Sequence, residues 1–98
     1  MTATAGAEAP LYAVCYDISN DRERRQVDRL LSGYGYRRQR SVFECRLSPA
    51  ARKRMQAQLE RLAISSGHVL VYRVAAGGRP EIVGQPPPNP DDAHCYTL

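Results

Sequence analysis

The chain of 98 residues has no tryptophan and one phenylalanine, Phe43. Aromatic platforms for stacking unpaired bases are therefore scarce, which argues against sequence-specific single-strand recognition. Histidine is limited to His68 and His94, too few for a zinc site of the usual kind. Cys15, Cys45 and Cys95 are odd in number and lack CxxC spacing. Two of them lie in apolar, strand-like runs, so they read as reduced core residues of a cytoplasmic protein rather than as a disulfide framework. No apolar run approaches the roughly 20 residues of a membrane span, and no membrane partner is expected. Met1 to Pro10 has neither a basic segment nor a long apolar core, so it is not a secretory signal. No Ser/His/Asp or Cys/His set is apparent. A glycine-rich phosphate loop is also missing, since Gly77-Gly78 stands isolated.

What the chain does have is arginine. Thirteen of its 14 basic residues are Arg, and all 14 fall between Arg22 and Arg79. The net charge is +4, but residues 10–84 carry 14 basic against 7 acidic groups, a net +7. Arginine suits bidentate phosphate contacts better than lysine does. A folded core this basic is compatible with nucleic acid; the alternative is a solvated basic surface.

The pattern along the chain predicts one small domain. Residues 1–10 read as a flexible arm, 11–84 as the folded domain and 85–98 as a proline-rich tail. Leu11 to Ile18 is a strand with Tyr12, Val14, Tyr16 and Ile18 on one face and Leu11, Ala13, Cys15 and Asp17 on the other. Asn20 followed by Glu23 reads as a capping box opening a helix, whose buried face is Val27, Leu30, Leu31 and Tyr34. Gly33 and Gly35 end it. Tyr36 to Gln39 and Val42 to Leu47 are the next strands, with a turn at Arg40-Ser41. Ser48-Pro49 opens a second helix running to about Ile64, with Ala51, Met55, Leu59, Leu62 and Ala63 inward. His68 to Val74 is a fourth strand, and Pro80 to Gly84 a short fifth. The order β-α-β-β-α-β gives an α+β, ferredoxin-like sandwich with an extra C-terminal strand. Both helices cover one sheet face, and a homodimer is expected to cover the other.

Three constellations could carry chemistry. Asp17 ends an apolar strand, where a charge is costly without compensation. It is either a metal or phosphate site or a carboxylate that opens the turn and is held by amides at the helix start. In a two-fold dimer, two such carboxylates meeting near the axis would favour a hard cation such as Mg²⁺, which takes few carboxylates plus water and phosphate oxygens. The basic run Arg37, Arg38, Arg40, Arg46, Arg52, Lys53 and Arg54 can track a phosphate backbone without reading bases. In Ser41-Val42-Phe43-Glu44, Ser41 fits a hairpin turn and Phe43 a core position better than a ligand position, as does Tyr16 beside Asp17.

These residues resemble a known family. Tyr16-Asp17-Ile18-Ser19, the pair Arg24-Arg25, Leu30-Leu31-Ser32-Gly33-Tyr34-Gly35 and the run from Arg37 to Cys45 are similar, in order and spacing, to the small CRISPR-associated nuclease of spacer acquisition. That family is the second of the two near-universal adaptation proteins. The likeness runs from about Leu11 to Gly84. It implies a ferredoxin-like homodimer in which Asp17 binds Mg²⁺, or another divalent cation, near the dimer axis. It implies metal-dependent cleavage of single-stranded RNA or double-stranded DNA, with Arg24, Arg25, Arg37, Arg38 and Arg40 on the phosphates and Tyr16, Ser41 and Phe43 in support. It also implies a partner integrase, the first adaptation protein, whose dimers are bridged around incoming duplex. Arg38 departs from the family pattern, which often has an apolar residue there. Two other functions are open: a non-catalytic DNA-bridging subunit of the integrase complex, and a toxin-type endoribonuclease of the same fold.

Overall fold

Strand β1, Leu11–Ile18, is the spine of the molecule. Its alternate residues Tyr12, Val14, Tyr16 and Ile18 are buried, while Asp17 on the other face is exposed. A computed structural model describes residues 9–76, 78 and 81–85. After β1 come α1 (Asp21–Ser32), β2 (Tyr36–Gln39), β3 (Val42–Arg46), α2 (Pro49–Arg61) and β4 (Gly67–Arg73). The four strands form one antiparallel sheet in the order β2-β3-β1-β4. This is the ferredoxin-like arrangement expected, with β1 and β3 central.

The core lies between the sheet and the two helices. Val14, Val27, Leu31, Phe43, Leu47, Ala51 and Met55 are all at most 1% exposed. Each follows the period of its element, two in strands and 3.6 in helices. Cys45 is in this core, and burial, with Glu44 beside it, pushes its thiol up to about 12. Gly35 allows the closest approach of the α1–β2 turn to β3: an added Cβ would run into the Glu44 carbonyl and the Cys45 side chain.

Asn20 caps α1, its Oδ1 accepting from the Glu23 N–H at 2.9 Å. The second half of the capping box takes a different form. The Asn20 N–H donates to Ser66 Oγ (2.9 Å), and the Glu23 carboxylate instead accepts from Ser65 and Ser66. Ser48 caps α2, accepting from the Ala51 N–H at 3.2 Å. That helix ends at Arg61, three residues before the expected end, because Ala63 takes a left-handed conformation at φ +52°. Ala63 is consequently exposed rather than inward.

Two expectations at the ends of the domain change. Ala9 and Pro10 belong to the fold: the Ala9 carbonyl accepts from Arg46 Nη1 (3.1 Å) and the Pro10 carbonyl from the Leu47 N–H (3.0 Å). The rest of the expected arm, residues 1–8, lies outside the described residues, as does most of the proline-rich tail. Among the described residues the fifth strand is not formed. Residues 81–84 lack strand structure, with Ile82 48% and Val83 98% exposed. A strand needs a neighbouring ladder, and among the described residues none lies beside them.

Candidate active site

The C-terminal end of β1, the start of α1 and the β2–β3 turn enclose a cleft of about 650 Å³. Tyr16, Asp17, Ile18, Arg24, Asp28, Arg40 and Ser41 line it. The fold thus gathers five of the residues singled out in the sequence: Tyr16, Asp17, Arg24, Arg40 and Ser41.

The Asp17 carboxylate is not held by amides at the helix start. The helix cap is Asn20, so Asp17 is not needed there. Its side chain accepts no hydrogen bond and forms no ion pair among the described residues. An exposed carboxylate without an intramolecular partner, at the rim of a cleft with arginines, is suited to an external cation or donor. One carboxylate with open positions also suits an ion that keeps much of its water. No group of three His, Cys, Asp or Glu converges on a point among the described residues, so one protomer supplies few ligands.

The cleft wall is built by Asp28, a residue the sequence did not single out. Its carboxylate takes the Tyr16 hydroxyl's hydrogen bond on one oxygen and pairs with Arg37 at 3.0 Å on the other. The Tyr16 hydroxyl also stands 3.2 Å from the Arg40 carbonyl, and Arg37 Nη1 donates to that carbonyl at 2.5 Å. Tyr16 donates its backbone N–H to the Ser41 carbonyl (3.1 Å), fixing the turn. Phe43 is 1% exposed beneath Arg37, whose guanidinium carbon lies 5.1 Å from the ring centre. Tyr16, Ser41 and Phe43 therefore support the cleft by packing and hydrogen bonding.

The arginines divide by environment. Arg24 donates to the Ile18 carbonyl at 2.8 Å and pairs with Asp21, holding the end of β1. Arg40 is exposed and has no acidic partner among the described residues. Arg25 is exposed on α1 but does not line the cleft. Arg38 leaves the expected phosphate set. Tyr36 pairs with Glu44 in the β2–β3 register, so alternation puts Arg38 on the Glu44 face, and its Nε and Nη2 donate to the Glu44 carboxylate at 3.1 and 3.0 Å. The two side chains are only 10% and 16% exposed, so the charge of Arg38 is already neutralised in place. Its guanidinium also approaches the Tyr36 ring at 5.8 Å.

Two further residues have roles that the sequence does not indicate. Glu23 clamps the loop that leads into β4, and the Ser66 hydroxyl, with the Ser65 and Ser66 amides, lowers its carboxyl from 4.5 to about 2. His68 stands directly opposite Asp17 in the β1–β4 register. The serine pair before Gly67 is the only local sign of the first. The second depends on strand pairing across 51 residues of chain and leaves no local sign.

Comparison with known proteins agrees with this arrangement. A protein of Chloroflexus aurantiacus, CRISPR-associated endoribonuclease Cas2 1, is 36% identical over 91 residues, covering 89% of this chain and 98% of that one. A Thermus thermophilus protein, CRISPR-associated endonuclease Cas2 2, is 38% identical over 78 residues, or 79% and 84% of the two chains. The crystal structure of a hypothetical protein from Thermus thermophilus superposes with a TM-score of 0.73 at 36% identity, covering 82% of this chain and 96% of that one. The sequence model of the family described as CRISPR-associated protein Cas2 matches residues 10–79. A match over that span includes the cleft and all four strands, and the chain belongs to the Cas2 family of CRISPR-associated proteins.

Proposed function

We propose that the chain is a metal-dependent endonuclease that acts on phosphodiesters of RNA or double-stranded DNA and serves CRISPR spacer acquisition as a homodimer. The observation that carries this reading is the Asp17 carboxylate, exposed and without an intramolecular partner at the rim of the cleft. Relatives named endoribonuclease and endonuclease support it. Asp17 would hold Mg²⁺ or another divalent cation. Bound there, such an ion polarises a phosphodiester and lowers the pKa of a coordinated water. Arg40 meets the phosphate from the turn, Arg25 from the exposed side of α1, and Arg24 keeps the carbonyl end of β1 in place beneath them. Asp28 restrains Arg37 at the cleft wall, so that its charge reaches the phosphate from a fixed position.

The homodimer reading rests on the uncovered sheet face. Leu70 and Tyr72 are 44% and 55% exposed there, opposite Cys15 and Ala13. Apolar side chains on an open face favour a second copy, and Glu81 to Gly84 would find its missing ladder on the partner. The integrase partner rests on family membership.

A second reading is a DNA-bridging subunit without catalysis. It is favoured by the exposed basic residues that lie outside the cleft, among them Arg22, Arg29, Lys53, Arg54 and Arg61. These can follow a duplex backbone without Asp17. The test compares the wild type with Asp17→Ala for cleavage of RNA and duplex DNA, in Mg²⁺ and in chelator, and for spacer acquisition with the integrase. The nuclease reading expects cleavage to vanish in the variant and in chelator. Acquisition that survives the substitution supports bridging, and cleavage unchanged by the substitution overturns the metal reading.

A further inference from the structure

The start of β4 is fixed to the end of β1 with more hydrogen bonds than a simple connection needs. Glu23 accepts from the N–H and the hydroxyl of both Ser65 and Ser66, at 2.6 to 3.1 Å. Ser19 donates its N–H and its hydroxyl to the Ser66 carbonyl at 3.1 and 3.2 Å. The Asn20 N–H donates to Ser66 Oγ at 2.9 Å. Gly67 then lies so close to β1 that an added Cβ would run into the Asp17 carbonyl oxygen. The product of this clamp is a fixed register, Ile18 against Gly67 and Asp17 against His68.

Directly opposed residues of an antiparallel pair project from the same sheet face, with Cβ atoms about 4.5–5.5 Å apart. Asp17 and His68 are both exposed on that face. The carboxylate oxygens stand two bonds from Cβ, and the imidazole nitrogens two or three. The register thus leaves both donor sets on one sheet face, Asp17 at the rim of the cleft and His68 on the neighbouring edge strand, within reach of one shared ion. Neither side chain has a hydrogen-bond or ion-pair partner among the described residues.

We propose that His68 joins Asp17 as a second protein ligand of one divalent cation, making a mixed imidazole–carboxylate site that selects Mn²⁺-class ions over Mg²⁺. The proposal rests on the reading of Asp17 as a cation ligand. Imidazole is a poor ligand for Mg²⁺, which prefers oxygen donors, and a good one for first-row transition ions. A nitrogen donor beside the carboxylate therefore shifts preference along the series without changing the fold. The clamp through Glu23 and Ser66 is what pre-positions the nitrogen, since His68 alone at a strand end would be free to splay away.

The test is metal binding by the full chain in the absence of nucleic acid. Mn²⁺ affinity is read from the paramagnetic resonance of the free ion and Mg²⁺ affinity by competition, for wild type, His68→Ala, His68→Gln and Asp17→Asn. The proposal expects Mn²⁺ to bind wild type more tightly than Mg²⁺. His68→Ala and His68→Gln should each weaken Mn²⁺ by at least about tenfold, leave Mg²⁺ within about twofold, and Asp17→Asn should remove both. Zn²⁺ as a diamagnetic probe should shift the imidazole ¹⁵N resonances of His68 and leave those of His94 in place. Unchanged Mn²⁺ affinity in both His68 variants, with binding lost in Asp17→Asn, overturns the His68 proposal and leaves Asp17 standing as a ligand. Binding unaltered in Asp17→Asn overturns both. His68 is exposed, so the variants are expected to fold, and a melting curve for each separates loss of metal from loss of structure.

Discussion

Gly67→Ala probes the junction that holds the cleft together. The new Cβ would meet the Asp17 carbonyl oxygen and stand 2.8 Å from the Asp17 carbonyl carbon and from Ile18 Cα. Comfortable carbon–carbon contacts are about 3.5–4.0 Å, so backbone must separate from backbone by more than about half an ångström. Neither side can yield alone: Ile18 is paired with Gly67 in the ladder, and Ser66 is tied to Ser19, Asn20 and Glu23. Overpacking of this kind costs about 1–3 kcal/mol, and each hydrogen bond lost from the clamp adds about 1 kcal/mol. A loss of about 3 kcal/mol is expected, a large part of the roughly 5–15 kcal/mol that stabilises a small domain. In urea, at a slope of about 2 kcal/mol per molar, the unfolding midpoint should fall by about 1.5 M with the slope unchanged. Both proteins must be compared at one concentration, because dimerisation shifts the midpoint. A midpoint within about 0.3 M of wild type would refute the claim that this contact fixes β4 on β1.

Three further substitutions follow from the same geometry. The Glu23 carboxyl is held down to about 2 from 4.5, so its contribution is complete above about pH 4.5 and disappears as the pH falls towards 2. Glu23→Gln should accordingly melt lower than wild type at neutral pH, and the two melting curves should converge across that acid window; a constant gap would contradict the assignment. Ala63→Gly should stabilise the chain by about 0.5–1 kcal/mol, because the left-handed conformation at φ +52° costs an L-residue about 1–2 kcal/mol and glycine returns part of that as unfolded-state entropy. Chemical denaturation measures it, and a destabilised variant would argue against that φ. Glu44→Ala should cost about 3 kcal/mol by leaving the mostly buried Arg38 charge without its carboxylate, and the double variant with Arg38→Leu should recover much of the loss; additive losses would mean that the pair is not coupled.

Local signals in the sequence were enough for the elements. Alternation in Leu11 to Ile18 placed Asp17 on the uncovered face, and the Asn20 and Ser48 caps marked both helix starts. Features that depend on distant pairing were not legible. Glu23 read as half of a capping box, yet its carboxylate serves a loop 42 and 43 residues away, because that loop offers four donors where Asn20 offers one. Arg38 read as one more phosphate ligand in a basic run. Its pairing with Glu44 depends on the β2–β3 register, which sets Tyr36 opposite Glu44 and is not marked in either strand alone. The end of α2 at Ala63 has no local mark, because alanine is the strongest helix former and gives no stop signal. Pro80 to Gly84 carries strand-like residues, but propensity does not supply a ladder to pair with.

The most direct test of the central claim is a paired measurement on Asp17→Asn: metal-dependent cleavage and duplex affinity in the same buffer. If the Asp17 carboxylate holds the catalytic cation, cleavage falls by at least about 100-fold, as expected for losing several kcal/mol of charge stabilisation. Duplex affinity is then unchanged or somewhat higher, since one negative charge has left a phosphate-binding surface. Cleavage that persists at the wild-type rate, or that declines only in step with lost binding, would contradict the account.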